Sequence, residues 1–205
     1  MRLFGMRAVA LAATFLFATL SAARAAAPDP AVAQIQGFYD VLLDSMKHAK
    51  ELGIKGRYEK LKPAVEQVFD VPDMVRLAVG AAPWTAASPA QQQALQNAFL
   101  RYTAANYANN FDDYSGEKFT VDPATVPRGA DKIVLSKLVT SKETYTFGYR
   151  MHQVGGEWRI LDVYLTGTIS QLATQRSEYA ATLAEGGVPA LIKKIDALTE
   201  KLLAE

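Results

Sequence analysis

The sequence predicts a single α+β domain in which helices precede and follow a four-stranded antiparallel sheet. Up to about residue 111, apolar residues recur at spacings of three and four, as they do on one face of a helix. From 116 to 165 they alternate along the chain instead, and the helical spacing returns after 168. No internal repeat or long linker divides the chain, so one domain is the simplest arrangement.

The first half carries start and stop signals for several helices. Asp29-Pro30 matches an N-cap followed by a first-turn proline, Gly53 indicates a turn, and Gly80 ends a short helix. The segment 88–91 (SPAQ) is a capping box that opens a long helix. The apolar faces comprise Val32, Ile35, Tyr39, Leu42, Met46, Tyr58, Leu61, Val65, Phe69, Met74, Val75, Leu77, Leu95, Phe99, Tyr102, Tyr107 and Phe111.

Four strands are predicted from the alternation. Gly155-Gly156 is a two-residue hairpin signal between the last two, and Pro123, Pro127 and Gly129 indicate a loop after the first. In the last strand the alternation puts Asp162 on the same face as Trp158 and Ile160. The predicted strands are 116–122, 131–140, 143–153 and 156–165.

Two further helices are predicted after the sheet. The segment 168–171 (TISQ) fits a second capping box. Gly186-Gly187 then separates this helix from a final one that begins near Pro189.

Residues 1–25 have the layout of a secretory signal peptide. Arg2 and Arg7 give a basic start, 8–20 is an uncharged apolar run of 13 residues, and A-x-A sites follow at 23–25 and 25–27. An uncleaved anchor is the alternative, but a membrane span needs roughly 20 apolar residues. We therefore expect cleavage, a soluble single domain over 26–205, and a periplasmic location.

Composition excludes several classes of function. Removing residues 1–25 removes three arginines and no acidic residue, which changes the formal net charge from +1 to −2. A near-neutral chain gives no electrostatic indication of nucleic-acid binding. The absence of cysteine excludes thiol nucleophiles, thiol redox chemistry and thiolate metal sites.

Motifs for catalysis or metal binding are weak. His48 shares a helical face with Asp44 and Glu51, but such charged patches are usually solvated. His152 lies beside a hairpin, where a surface histidine is ordinary. No G-x-S-x-G motif is present, and Gly155-Gly156 joins strands instead of opening a helix around a phosphate. We therefore expect no catalytic residue, no metal and no cofactor.

Asp162 and Arg176 form the one pair that invites a chemical interpretation. An inward carboxylate is costly unless it is paired, and Arg176 lies one helical turn beyond Leu172, where it could reach back. One interpretation is an ion pair that locks helix to sheet. The other is that Arg176 donates hydrogen bonds to a lipid phosphate, whose oxygens match a guanidinium well.

Several segments together resemble the MlaC-type, toluene-tolerance family of periplasmic phospholipid-binding proteins. The resemblance runs from about 31 to 200, and 168–179 (TISQLATQRSEY) is most similar to the HpnM branch linked to hopanoid biosynthesis. Gln175 departs from the family's usual aromatic before the arginine, which leaves phospholipid and hopanoid both open as ligands. The segments are Phe69-Asp70, 77–80 (LAVG), Trp84, 91–93 (QQQ), Phe99, Tyr102, Tyr107, 114–116 (YSG), 156–163 (GEWRILDV), 167–172 (GTISQL) and 175–179 (QRSEY).

The resemblance implies a curved sheet wrapped by helices, similar to NTF2-like folds, around an apolar cavity. It implies a monomeric carrier that takes lipid between an inner-membrane ABC-type transporter and an outer-membrane acceptor, and so maintains outer-membrane lipid asymmetry. Arg176 is then the headgroup candidate. The candidate lipid-binding residues are Phe69, Met74, Leu77, Phe99, Tyr102, Tyr107, Phe147, Tyr149, Leu161, Val163, Ile169 and Leu172.

Each of these residues also fits an ordinary filled core, because periodicity does not distinguish a packed interior from a hollow one. Two other functions remain open. An enzyme of NTF2-like fold acting on an isoprenoid or lipid would use Asp162 as its acid or base. A ligand-free adaptor would have an internal volume below the roughly 300 Å³ at which binding pockets begin.

Overall fold

The computed structural model describes residues 27–204 as six helices and one antiparallel sheet. The predicted α+β class is confirmed. The predicted signal peptide and its cleavage site lie outside the described residues, apart from Ala27. The elements are α1 (Pro30–Lys47), α2 (Ala49–Val68), α3 (Val71–Val79), α4 (Ala81–Ala86), α5 (Pro89–Asn110), β1 (Lys118–Arg128), β2 (Asp131–Val139), β3 (Thr144–Val154), β4 (Glu157–Leu165), β5 (Ile169–Ser170) and α6 (Gln171–Ala204).

The sheet has five strands in the order β1-β2-β3-β4-β5, so the prediction of four was one short. The additional strand is the two-residue β5, which pairs with Tyr164 and Leu165. The first strand is also longer than predicted, because it continues through Pro123 and Pro127 with a register shift after Val121. Proline is tolerated there because β1 is an edge strand. The N–H group that proline lacks would have no second neighbouring strand to bond to.

The helix-start signals were correct twice and wrong once. The Asp29 side chain accepts from the Ala31 N–H, and Ser88 forms the predicted capping box with Gln91. The capping box predicted at 168–171 does not form. Ser170 caps α6 instead, because its hydroxyl accepts from the Ala173 N–H at 3.0 Å. The start of α6 moves along the chain because the two preceding residues are extended in β5.

Two of the predicted turns are kinks inside longer helical segments. Gly53 in α2 and Gly187 in α6 have φ values of 58° and 64°, respectively, which favour glycine. Both segments therefore change direction without an intervening loop. Among residues 27–204, no helix has both the length and the apolar character needed to cross a bilayer.

A bulge in β4 changes which face its residues occupy. Arg150 lies opposite Asp162 and Met151 opposite Ile160, so Leu161 is the extra residue between them. Ile160 and Asp162 therefore lie on opposite faces, and their predicted shared face was wrong because a bulge reverses the alternation. The helices pack on the face that carries Tyr149, Met151 and Ile160, where the core lies.

The sheet has two different ends. We call one of them the paired end (131–134, 150–154 and 157–160). Here the segment between α2 and α3 pairs with β4: Phe69 forms a parallel β-bridge with Ile160, and the Asp70 N–H donates to the Ile160 carbonyl at 2.9 Å. We call the other the cavity end (136–140, 144–149 and 163–165). It borders an internal space.

Candidate functional site

A cavity of about 600 Å³ lies between the cavity end of the sheet and helices α1, α3, α5 and α6. This volume exceeds the roughly 300 Å³ at which small-molecule pockets begin. Its wall is largely apolar and aromatic. The apolar and aromatic residues in the wall are Tyr39, Met46, Phe69, Met74, Phe99, Tyr102, Tyr107, Phe111, Phe119, Leu138, Tyr145, Phe147, Tyr149, Val163 and Leu165.

The aromatic rings of the wall hold one another in place. The Tyr107 ring meets Phe38 edge-on at 5.2 Å between centroids and stacks on Phe111 at 5.7 Å. Phe119 lies 6.0 Å from Phe111 and stacks on Tyr39 at 4.2 Å, which continues the same group of rings. Because such contacts fix the orientation of large side chains, the rings line a space instead of collapsing into it.

A small group of buried hydroxyls forms part of the wall. The Tyr39 hydroxyl lies 2.6 Å from Ser136 Oγ and donates to the Tyr149 hydroxyl at 2.9 Å. Burial raises the pKa of Tyr39 to about 12, although these two hydrogen bonds act in the opposite direction. Burial also raises the pKa of Tyr107 and Tyr149, so these phenols stay protonated into the alkaline range.

Polar side chains cluster around the remainder of the cavity. Of the described residues that line it, the charged ones are all acidic: Asp112, Asp113 and Glu117. None of the described lysines or arginines belongs to this wall. The other polar members are Thr103, Asn106, Asn110, Thr140, Gln171 and Gln175.

Eight of the twelve candidate lipid-binding residues line the cavity, and four do not. Ile169 is 53% exposed because β5 turns it towards solvent. Leu161 is buried but occupies the bulge position in β4. Leu77 and Leu172 pack against the core from outside the wall. The eight are Phe69, Met74, Phe99, Tyr102, Tyr107, Phe147, Tyr149 and Val163.

Asp162 and Arg176 do not pair with each other in the described part of the chain. Asp162 instead accepts hydrogen bonds from the Ser170 hydroxyl at 2.6 Å and from the Val163 and Leu172 N–H groups, which holds β5 and the start of α6. The exposed Arg176 lies with its guanidinium against Gly80, outside the cavity wall.

Neither histidine forms a site of its own. His48 bonds to the Asp44 carbonyl, and the Asp44 carboxylate pairs with Lys60. His152, expected at the surface, is mostly buried, and its Nε2 lies 2.7 Å from Asp70 Oδ2. These groups together with Asp73 are close enough to hold a cation, but Asp70 also caps α3 and Asp73 pairs with Arg76.

Of the 24 residues that line the cavity, 16 were not among the candidate lipid-binding residues. Part of it was accessible from helical spacing: Asn106 and Asn110 follow Phe99 and Thr103 at steps of three and four, on the same side of α5. Phe111 was placed at the end of a helical apolar face, but 112–119 carried no periodic signal that would place Asp113 or Phe119 beside the sheet. Gln175 was singled out in the sequence, but as a departure from a pattern and not as part of a wall.

Comparisons with known proteins agree with this architecture. A curated relative, the toluene tolerance protein ttg2D of Pseudomonas putida, is 27% identical over 137 residues, which cover 65% of this chain and 64% of that protein. The match thus spans less than two thirds of the relative. A solved structure, a phospholipid-binding protein from Ralstonia solanacearum in complex with a phospholipid, matches with a TM-score of 0.73 at 20% identity, over 85% of this chain and 99% of that one.

At this identity the solved structure establishes a shared fold. The family assignment comes from the family model described as MlaC protein, which matches residues 36–197 and therefore most of the chain. This chain belongs to the MlaC family.

Proposed function

We propose that this protein is a periplasmic lipid carrier that encloses acyl chains in its cavity and shuttles lipid between the inner and outer membranes. The observation that carries the proposal is the cavity of about 600 Å³ with a largely apolar and aromatic wall. Two comparisons support it: membership of the MlaC family, and a protein of the same fold that was solved with a phospholipid.

The chemistry of the wall suits this task. Each methylene exposed to water costs about 0.8 kcal/mol, so a free lipid in the periplasm is strongly disfavoured. The rings of Phe99, Phe147 and Tyr107 offer apolar surface that replaces the bilayer interior. Because burial is non-directional, such a wall accepts chains of different length and saturation, and it suits either a phospholipid or a hopanoid.

The alternatives have less support. An enzyme would use Asp162 as its acid or base, but this carboxylate already accepts three hydrogen bonds from the chain and lies outside the cavity wall. An adaptor without a ligand would need no internal volume above the roughly 300 Å³ of a small pocket. We therefore propose binding and transport without catalysis, by a monomer whose signal peptide has been removed.

The handover partners proposed are an inner-membrane ABC-type transporter and an outer-membrane acceptor, as expected for the family. The eight candidate residues in the wall are proposed to contact acyl chains. For the four outside it, Leu77, Leu161, Ile169 and Leu172, no contact with the cavity supports that role.

The test is whether protein purified from its native host carries lipid. Native mass spectrometry should detect one bound lipid, which extraction and mass analysis identify as phospholipid or hopanoid. Leu165→Trp, which places a large ring in the cavity, should lower lipid occupancy at least tenfold while the protein still folds. Tyr164→Trp, on the opposite face of the same strand, should leave occupancy unchanged.

Two results would contradict the proposal. One is wild-type protein that is repeatedly isolated without lipid from lipid-rich membranes. The other is a Leu165→Trp variant, folded by circular dichroism, that retains full occupancy.

A further inference from the structure

We propose that the segment between α5 and β1 is a gate through which lipid enters and leaves the cavity, and that a contact between Lys47 and Tyr114 keeps this gate closed. We call the segment, residues 112–117, the strap. The inference rests on the proposed function and adds to it the route by which cargo passes.

The strap lies between two open spaces. On one side, Asp112, Asp113 and Glu117 belong to the cavity wall. On the other side, a groove of about 290 Å³ separates the strap from the junction of α1 and α2, residues 46–51. Asp113 and Met46 border both spaces. A segment with unfilled space on both sides lacks the close packing that fixes a protein interior, so moving it breaks few contacts.

Both ends of the strap are fixed to the rest of the domain. The Phe111 ring, just before it, stacks on Tyr107 at 5.7 Å between centroids. The Phe119 ring, two residues after it, stacks on Tyr39 at 4.2 Å, and Phe119 also pairs with β2 in the sheet. Because these anchors lie outside the strap, the strap can move without unfolding α5 or β1.

Hydrogen bonds do not hold the strap against its surroundings. Residues 112–116 are exposed. Within residues 27–204 the strap forms a single hydrogen bond, from the Ser115 N–H to Glu117 Oε2 at 2.6 Å, and this bond is internal to it. Segments with few buried contacts and an exposed backbone are those that open at the lowest free-energy cost.

One contact ties the middle of the strap to a helix. Lys47 lies in the last turn of α1, and its ammonium is 5.6 Å from the centroid of the Tyr114 ring. Both residues line the groove, so the contact spans it. An ammonium is attracted to the face of an aromatic ring, but at an exposed site the attraction is weak enough to break repeatedly. When it breaks, the strap moves away from α1, and the groove and the cavity join beside Met46.

The first test measures how fast lipid leaves the mature protein. Protein loaded with a phospholipid that has a fluorescent acyl chain is mixed with an excess of phosphatidylcholine vesicles, and release is followed by fluorescence. Tyr114→Ala and Lys47→Met should each speed release roughly two- to fivefold, the factor expected for an exposed cation–π contact. The double variant should be no faster than either single variant, because both substitutions remove the same contact.

Two variants serve as controls. Tyr114→Phe keeps the ring and should keep the wild-type rate. Arg128→Met removes a cation–π contact of similar length, 5.5 Å to the Tyr164 ring, away from the strap, and should also keep it. Lipid occupancy at equilibrium, measured by native mass spectrometry, should match the wild type in every variant, because none of these side chains belongs to the cavity wall.

A reversible cross-link tests the movement itself. The sequence contains no cysteine, so Lys47→Cys together with Tyr114→Cys supplies the only two thiols. Joining them with a short, cleavable cross-linker should slow loading and release by about tenfold or more, because a lid that stays closed retains its ligand. Cleavage should restore the rate. The control is Lys55→Cys with Glu59→Cys, one helical turn apart on the exposed side of α2, which should keep the wild-type rate when cross-linked.

The outcomes separate this inference from the proposed function. Wild-type rates in the protein cross-linked between positions 47 and 114, or in both single variants, would overturn the gate and leave lipid carriage intact. Thiols at these positions that do not react with one cross-linker would contradict the contact between them. No bound lipid in any form of the protein, the wild type included, would contradict the proposed function itself.

Discussion

The two ends of the sheet use their polar side chains differently. At the paired end, carboxylates bind basic side chains at close range and tie strands to helices and to one another. At the cavity end, the wall contains aromatic rings, hydroxyls and carboxylates with no salt bridge among the described residues. The paired groups are Asp29 with Lys132 at 2.6 Å, Asp131 with Arg150 at 2.6 Å, and Asp70 with His152 at 2.7 Å.

This difference indicates a division of labour along the same strands. A cavity removes packing contacts from the protein interior, which lowers stability in proportion to the space left unfilled. Interactions at the paired end compensate for this loss without narrowing the cavity. Substitutions at the paired end should therefore change stability, and substitutions at the cavity end should change cargo.

The largest effect is expected for Asp70→Ala. Its carboxylate accepts from His152 and from the Asp73 N–H, and it caps α3. Removing it leaves a mostly buried imidazole and a helix start without partners, so we expect a loss of roughly 2–4 kcal/mol in the free energy of unfolding. Chemical denaturation measures this change, and lipid occupancy at low temperature should stay at the wild-type level.

Asp73→Ala is the matched control on the same helix. Asp73 forms a solvent-accessible pair with Arg76, so its loss should cost less than about 1 kcal/mol. If the two variants had equal stability, Asp70 would not join helix to sheet in the way the geometry indicates.

The cavity end has a pH signature of its own. Burial raises the pKa of Tyr39 to about 12, while an unfolded tyrosine titrates near 10. Between these two values the unfolded state has lost a proton that the folded state keeps, so stability falls as pH rises. The expected loss from Tyr39 is about 2–3 kcal/mol between pH 10 and pH 12.

Tyr39→Phe should reduce this alkaline loss, as measured by denaturation at several pH values. Tyr114→Phe is the matched control, because Tyr114 is exposed and does not belong to the cavity wall. A wild-type protein whose stability is constant up to pH 12 would show that the hydroxyls of the wall are accessible to water.

The same contrast explains which features the sequence could predict. Local patterns predicted the caps at Asp29 and Ser88 and the hairpin at Gly155, because each depends on a few consecutive residues. The Asp70–His152 pair joins residues 82 apart in sequence, and no local pattern indicates it. His152 was therefore interpreted as a surface residue.

The candidate site shows the same limit. Helical spacing and strand alternation placed Phe99 and Tyr149 inside, but they do not say whether the space beside them is filled. A single bulge lies at Leu161, which is outside the cavity wall, and a two-residue strand leaves Ile169 exposed. Such features depend on pairing between strands and not on the composition of either strand.

The smallest effect is expected for Asp29→Asn at the paired end. Asparagine retains the N-cap to α1 but loses the charge that pairs with Lys132, whose ammonium also lies 4.5 Å from the centre of the Trp158 ring. The hydrogen bond with Lys132 lowers the pKa of Asp29 below the ordinary value of an aspartate. This contribution to stability is therefore present above about pH 4 and decreases as pH falls through the lowered pKa.

At pH 7 the variant should lose less than about 1 kcal/mol, and the loss should shrink in high salt, because the pair is partly solvated. Under strongly acidic conditions, where the wild-type carboxylate is itself protonated, the two proteins should be equally stable. Equal stability at pH 7 as well would mean that Asp29 acts only as a cap, and the paired end would then depend on Asp70 and Asp131 alone.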